Sequence, residues 1–168
     1  MITDWEMSHI CYAVDNIDNW MDRFDEAMGG RWTKPLQVDA IWRTSLEGTE
    51  TRHIQGRVRW LVGPSVPVEL WEGPPGSPWN VPSGTMRFDH VCYWAFDMER
   101  QANQLGKLGF DLELTPQVSD GEPATDGPFR GFAYFRNAAG SRIELQRASD
   151  KPAMQRWMDG GELVLDYI

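Results

Sequence analysis

Ser8-His9-Ile10-Cys11-Tyr12-Ala13-Val14 is the most informative stretch of the chain, because its opening returns as Asp89-His90-Val91-Cys92-Tyr93, 81 positions on (from 9 to 90). A second pair follows: Val68-Glu69-Leu70 returns as Ile143-Glu144-Leu145, 75 positions on (from 69 to 144). Both members of each pair are flanked by β-favouring residues, so each half opens with a His on a strand and closes with a Glu on another. Period two places His9, Cys11 and Ala13 on one strand face, with Ile10, Tyr12 and Val14 on the other. Two copies of one supersecondary unit would thus carry two imidazoles and two carboxylates to one point. That is a metal site in outline.

Outward from these anchors the halves read alike. Asp15-Asn16 offers an N-cap, and Ile17, Trp20, Met21, Phe24 and Met28 recur at helical spacing before Gly29-Gly30 stops the helix. Strands are expected around 38–46, 57–62 and 66–71, with Gly63-Pro64-Ser65 as a turn and Pro67 at a strand start or edge. Residues 73–87, rich in Pro and Gly, read as a linker. A strand over 89–95, a helix over about 98–108 capped by Asp97, and strands over 131–136 and 141–147 complete the second half. Glu113 to Gly131 reads as a long mobile loop, a lid or simply a loop. Residues 152–168 form an extension, with Pro152 opening a short helix and a role in packing or dimer contact. The expected units are 1–72, the linker 73–87, 88–148 and the extension 149–168, in a single compact domain.

Bulk properties narrow the class. A chain of 168 residues supports one real core, and its 41% hydrophobic and 24% charged residues suit a soluble globular protein. A net charge of −9 argues against nucleic acid and anionic membranes as partners. No apolar run reaches the roughly 20 residues of a spanning helix, and the first residues lack the pattern of a signal peptide. Cys11 and Cys92 are the only thiols, which suits a reducing cytoplasm.

Two neutral imidazoles and two carboxylates suit a divalent ion: Zn, Ni, Co, Mn or Fe. An ion with an open position polarises a carbonyl and makes the neighbouring C–H acidic, and Glu144 or Glu69 would carry the proton. A lone strand His is more often a satisfied polar residue, and a Glu in an alternating strand often faces water. The paired recurrence favours the ligand set His9, Glu69, His90 and Glu144. Nine Trp are unusual for this length. Trp42, Trp60, Trp71, Trp79 and Trp94 would line an apolar pocket or be core. Arg52, Arg57, Arg59 and Arg130 would hold a carboxylate, phosphate or CoA group, or be solvated charges. Cys11 and Cys92 share the His faces as possible ligands or as small buried hydrophobes.

Over about residues 7–147 the chain resembles the vicinal oxygen chelate (glyoxalase/bleomycin resistance/dioxygenase) superfamily. His9-Ile10-Cys11-Tyr12-Ala13-Val14-Asp15-Asn16-Ile17 is similar to the opening strand of methylmalonyl-CoA epimerases. Val68-Glu69-Leu70, Asp89-His90-Val91 and Gly140-Ser141-Arg142-Ile143-Glu144-Leu145 fall at the other three metal positions. The resemblance implies an α+β fold of two tandem βαβββ modules forming a curved mixed sheet around a central metal site, and a homodimer. It also implies a metal-dependent epimerase or isomerase acting on a CoA thioester or other bulky apolar acid. A glyoxalase I-like lyase on a thiol adduct is the second reading, although glyoxalases usually carry an Arg where Ala13 stands. A non-catalytic small-molecule binding protein of the same fold is the third. Epimerases usually have Gln in place of Glu69, and a catalytic Glu before a Gln-Gly pair. Here Ile54 precedes Gln55-Gly56, which leaves His53 as a candidate second acid/base or a surface loop residue.

Overall fold

In the computed structural model, residues 5–44, 50–117, 129–165 and 167 are described. The first half contains β1 (Glu6–Val14), α1 (Ile17–Met28), β2 (Arg31–Trp32), β3 (Leu36–Arg43), β4 (Thr51–Val62) and β5 (Val68–Glu72). The second contains β6 (Met86–Ala95), α2 (Met98–Lys107), β7 (Phe110–Pro116), β8 (Phe132–Asn137) and β9 (Arg142–Arg147). A 3₁₀ turn (Ala148–Asp150) then leads into α3 (Lys151–Met158).

The strands form one sheet in the order β2-β4-β3-β7-β8-β9-β6-β1-β5, and a further β4–β5 pairing closes it on itself. The result is an α+β barrel-like fold built from repeated strand and helix elements around a buried His/Glu cluster. The two halves make equivalent pairings. β1 runs parallel to β5 with Cys11 opposite Glu69, and β6 runs parallel to β9 with Cys92 opposite Glu144. β1 and β6 run antiparallel beside each other, with His9 opposite Cys92 and Cys11 opposite His90. Strand alternation therefore turns both imidazoles and both carboxylates to the inner face.

Local chemistry explains the helices. Asn16 accepts from the Asn19 amide at 3.0 Å, and Asp97 from the Arg100 amide at 3.0 Å, so each helix starts on a side-chain cap. The apolar side of α1 packs Trp20, Met21 and Phe24 against Val14, Leu61, Val68 and Leu70, covering the outer face of the first half. Inside the barrel an aromatic core joins Trp42, Trp60, Trp71, Trp79, Phe132 and Tyr134. Gly56 makes part of this possible: a Cβ there would lie 2.2 Å from the Trp71 ring and 2.5 Å from the Glu72 carbonyl oxygen.

Several boundaries differ from the sequence expectations. β4 begins at Thr51 rather than 57, because its polar first half is held by β3 and only its second half by β5. β3 ends at Arg43 and β6 begins at Met86, so the expected linker ends one residue before Met86. That linker is also partly core, since Trp79 is buried and stacks on Trp71 at 4.1 Å. Two-residue β2, paired to Leu61 and Val62, is too short to show a period. Residues 113–116 belong to β7 rather than a loop, and residues 118–128 of the expected lid lie outside the described residues. Among the described residues no helix is long and apolar enough to cross a membrane.

Candidate metal centre

His9 and His90 come from β1 and β6, Glu69 and Glu144 from β5 and β9, and all four are buried. The two imidazole Nε2 atoms stand 3.4 Å apart. Glu69 Oε2 lies 3.5 Å from each of them, and Glu144 Oε2 lies 3.3 Å from that of His9 and 2.9 Å from that of His90. Both Oε2 atoms are buried without a hydrogen-bond partner. Buried carboxylate oxygens are ordinarily satisfied, so the pair is suited to holding a cation. Ligands about 2.0–2.1 Å from one tetrahedral ion would sit roughly 3.3 Å from each other, and the separations of 2.9–3.5 Å bracket that value. The residues fit a divalent ion.

The surroundings orient each ligand. His90 Nδ1 lies 2.9 Å from Asp89 Oδ2, which also accepts from Arg142 Nη1 at 2.6 Å. Arg142 in turn is held by Glu113 at 2.7 and 2.8 Å. On the other half, Ser8 Oγ lies 3.2 Å from His9 Nδ1. Both contacts engage Nδ1 and leave Nε2 facing the cluster, as ligand duty requires. Glu69 is fixed by the Trp60 indole N–H, which donates to Oε1 at 2.9 Å.

Electrostatics agree with the geometry. Burial alone would lower both imidazole pKa values, but Cys92 and Glu69 beside His9, and Asp89 and Glu144 beside His90, outweigh it and hold His9 well above, and His90 above, the ordinary value. Burial would raise Glu144, but the two imidazoles hold it well below the usual carboxylate range. Burial raises the Cys11 thiol and pushes Cys92 up to about 12. Cys11, Asp89 and His90 also approach one another, yet Asp89 is already taken by His90 and Arg142.

His9, Glu69 and Glu144 border a cavity of about 50 Å³, walled by Trp42, Trp60, Trp71, Phe132 and Tyr134, with Trp157 from α3. Trp94 does not line it: this side chain is buried in the adjoining core, with Lys151 over its ring. Trp79 lies behind Trp71. None of Arg52, Arg57, Arg59 and Arg130 lines the cavity, and Arg57 is paired with Glu72 at 2.7 Å. His53 is an exposed strand residue paired with Asp39, away from the cavity. Asp89 escaped the sequence reading, although the signal was in the repeat: Ser8 and Asp89 both immediately precede the ligand His. Trp157, Leu163, Leu165 and Tyr167 also escaped it, because nothing in a terminal extension reveals where it docks.

A profile described as the glyoxalase/bleomycin resistance protein/dioxygenase superfamily matches residues 8–129. The chain belongs to this superfamily. A comparison with curated proteins gives no match. Among solved structures, a methylmalonyl-CoA epimerase from Mycobacterium tuberculosis is 14% identical, with 88% of this chain and 91% of that chain covered and a TM-score of 0.52. A Streptomyces coelicolor methylmalonyl-CoA epimerase variant is 12% identical over 86% of this chain and 94% of that one, with a TM-score of 0.53. A variant 4-hydroxymandelate synthase from Streptomyces coelicolor is 10% identical over 86% of this chain and 49% of that one, with a TM-score of 0.56. At these identities the likeness is one of fold, and a superfamily member's chemistry must be argued from its own site.

Proposed function

We propose that this superfamily member is a metal-dependent epimerase or isomerase that moves a proton next to a substrate carbonyl. Its substrate on this reading is the acyl part of a CoA thioester or of another bulky apolar acid. The observation that carries the reading is the pair of unpartnered carboxylate oxygens, Glu69 Oε2 and Glu144 Oε2, facing two Nε2 atoms beneath an apolar cavity. We read the halves as two tandem βαβββ modules, 1–72 and 88–148, each giving one His and one Glu. A homodimer in a reducing compartment is part of the same proposal.

A divalent cation held by His9, Glu69, His90 and Glu144 supplies Lewis acidity towards a carbonyl oxygen and so acidifies the adjacent C–H. The chain's residues do the rest. Trp60 keeps Glu69 turned to the cluster, Asp89 and Ser8 hold the imidazoles, and the aromatic walls exclude water that would compete for the proton. Glu144, bordered by both imidazoles, accepts the proton from the carbon next to the carbonyl and returns it. His53 is exposed, paired with Asp39 and absent from the cavity lining, so it is not the partner base in this scheme. Return of the proton by this single carboxylate to a neighbouring atom would give isomerisation on one face, whereas inversion at one carbon would need a second acid on the opposite face. A glutathione lyase is disfavoured because Ala13 is buried within the aromatic core, where a cation would be required.

Deuterium uptake from D₂O at the carbon next to the carbonyl, measured over a panel of acyl-CoAs and aryl ketones, tests the reading. Glu144→Gln should lower exchange by roughly 10²-fold or more. Full metal content together with full exchange in that variant would remove Glu144 from the role of base. Turnover of thiol adducts without exchange would favour the lyase, and metal binding without either would leave a binding protein.

A further inference from the structure

We propose that the cavity takes an uncharged apolar group, an aryl or branched alkyl carbonyl group bearing no carboxylate or phosphate, and that C-terminal residues 151–165 and 167 set this preference. The inference rests on the metal-site reading above and narrows its substrate class. Three observations carry it.

The first is charge. No Lys or Arg lines the cavity among the described residues. The remaining stretches, 1–4, 45–49, 118–128, 166 and 168, contain no Lys or Arg at all. Two carboxylates, one divalent cation and two neutral imidazoles sum to zero charge, so the cation has no excess positive charge for an additional anion. A second carboxylate or phosphate inside the cavity would lose its water and find no Lys or Arg to pair with among the described residues. A charged carrier such as CoA would therefore remain outside, with only its acyl end enclosed.

The second is the origin of the wall. Met154, Trp157, Leu163, Leu165 and Tyr167 face the cavity, and all lie beyond residue 129, where the superfamily match ends. Trp157 is fixed by donating to the Lys34 carbonyl at 3.0 Å and by packing on Trp60 at 5.5 Å. Tyr167 donates to Asp150 Oδ2 at 2.5 Å and packs on Phe132. The tail thus closes one side of a cavity whose other walls, among them Trp42, Trp60 and Trp71, belong to the barrel.

The third is where the neighbouring cations go. Arg31 pairs with Asp159 at 2.9 Å, Lys34 pairs with Glu162, and Lys151 pairs with Glu6. The first two tie the tail to the barrel, so they hold the wall rather than a ligand. These ties are exposed and weak. The cavity of about 50 Å³ is smaller than the roughly 150 Å³ that admits a benzene ring. A ring accordingly enters by pushing the tail outward, and the tail side chains meet it first.

Two ketones of one shape test the proposal: 4-methylacetophenone, and 4-acetylbenzoate, which adds a carboxylate at the far end. Each is titrated against the full-length Zn(II)-loaded protein, with tryptophan fluorescence as the readout. The neutral ketone should bind roughly tenfold or more tightly than the carboxylate. Leu165→Lys, which brings a cation to the half-buried rim, should cut that ratio below about threefold or invert it. Val164→Lys, at a neighbour 70% exposed, should leave the ratio unchanged. Equal or tighter binding of the carboxylate by the wild type, or saturation by neither ketone, would overturn the proposal. So would a folded Leu165→Lys protein with an unaltered ratio; if that variant fails to fold, the wild-type ratio decides. Deuterium uptake at the ketone methyl group separates the two readings. Selective binding without exchange defeats the isomerase and leaves the substrate class standing, whereas exchange on both ketones at equal affinity does the reverse.

Discussion

Asp89 is where the single-residue argument is sharpest. It is buried, yet it holds His90 Nδ1 and Arg142 together, and these outweigh burial to keep its carboxyl below the usual carboxylate value. Ser8 does the equivalent work for His9 with a neutral hydroxyl at 3.2 Å. A carboxylate orients an imidazole and raises its basicity more strongly than a hydroxyl. Asp89→Asn should therefore weaken Zn(II) affinity by about 10- to 100-fold, and Ser8→Ala by clearly less, both read by calorimetric titration against a competing chelator. Equal losses would mean that the two halves of the site are supported alike. Trp60→Phe offers a companion test: it keeps an aromatic wall but frees Glu69 Oε1 from its 2.9 Å donor. The loss of a buried hydrogen bond to a charged group should cost about 1.5–3 kcal/mol of stability or metal binding, measured by thermal unfolding with and without metal.

Among the elements, β4 and the C-terminal tail carry the clearest consequences. Gly56→Ala puts a methyl group against the Trp71 ring and the Glu72 carbonyl, so it should cost about 1–3 kcal/mol through overpacking, seen as a lower melting temperature. The tail gives a pH signature. Burial, followed by the Asp150 charge, raises the Tyr167 phenol well above its ordinary value. A raised folded-state pKa means the unfolded chain loses the proton first. The contribution of Tyr167 is therefore fully present below about pH 10, and is lost as the pH climbs through the folded-state value. Tyr167→Phe should flatten that alkaline loss in melts taken from pH 8 to 11, and unchanged curves would show that the phenol does not anchor the tail. These two elements also mark how far the sequence could be read. β1, β6, α1 and α2 were legible because their periodicity and caps are local. The first half of β4 was not, since Thr51-Arg52-His53 is polar and becomes strand only by pairing with β3. The four residues of the buried cluster were legible because they repeat, whereas Tyr167 and Trp157 occur once and reach the cavity by docking.

On the scale of the molecule, the barrel closes so that β1 and β6 lie side by side while β5 and β9 flank them. Neither half alone presents more than one His and one Glu, so the site exists only when both are folded together. Bound metal should then stabilise the whole barrel: at 100 times its dissociation constant, an ion specific for the native state adds about 2.7 kcal/mol. Chelation should lower one cooperative melting transition rather than split it. The most direct measurement is metal content by mass spectrometry on protein purified without chelator, for the wild type and for a His9→Ala/His90→Ala variant confirmed to be folded. About one equivalent of divalent metal per chain in the wild type is expected, as for a protein-specific site, with almost none in the variant. A metal-free wild type that gains none on titration, or a folded variant that retains a full equivalent, would contradict a site shared by the two halves.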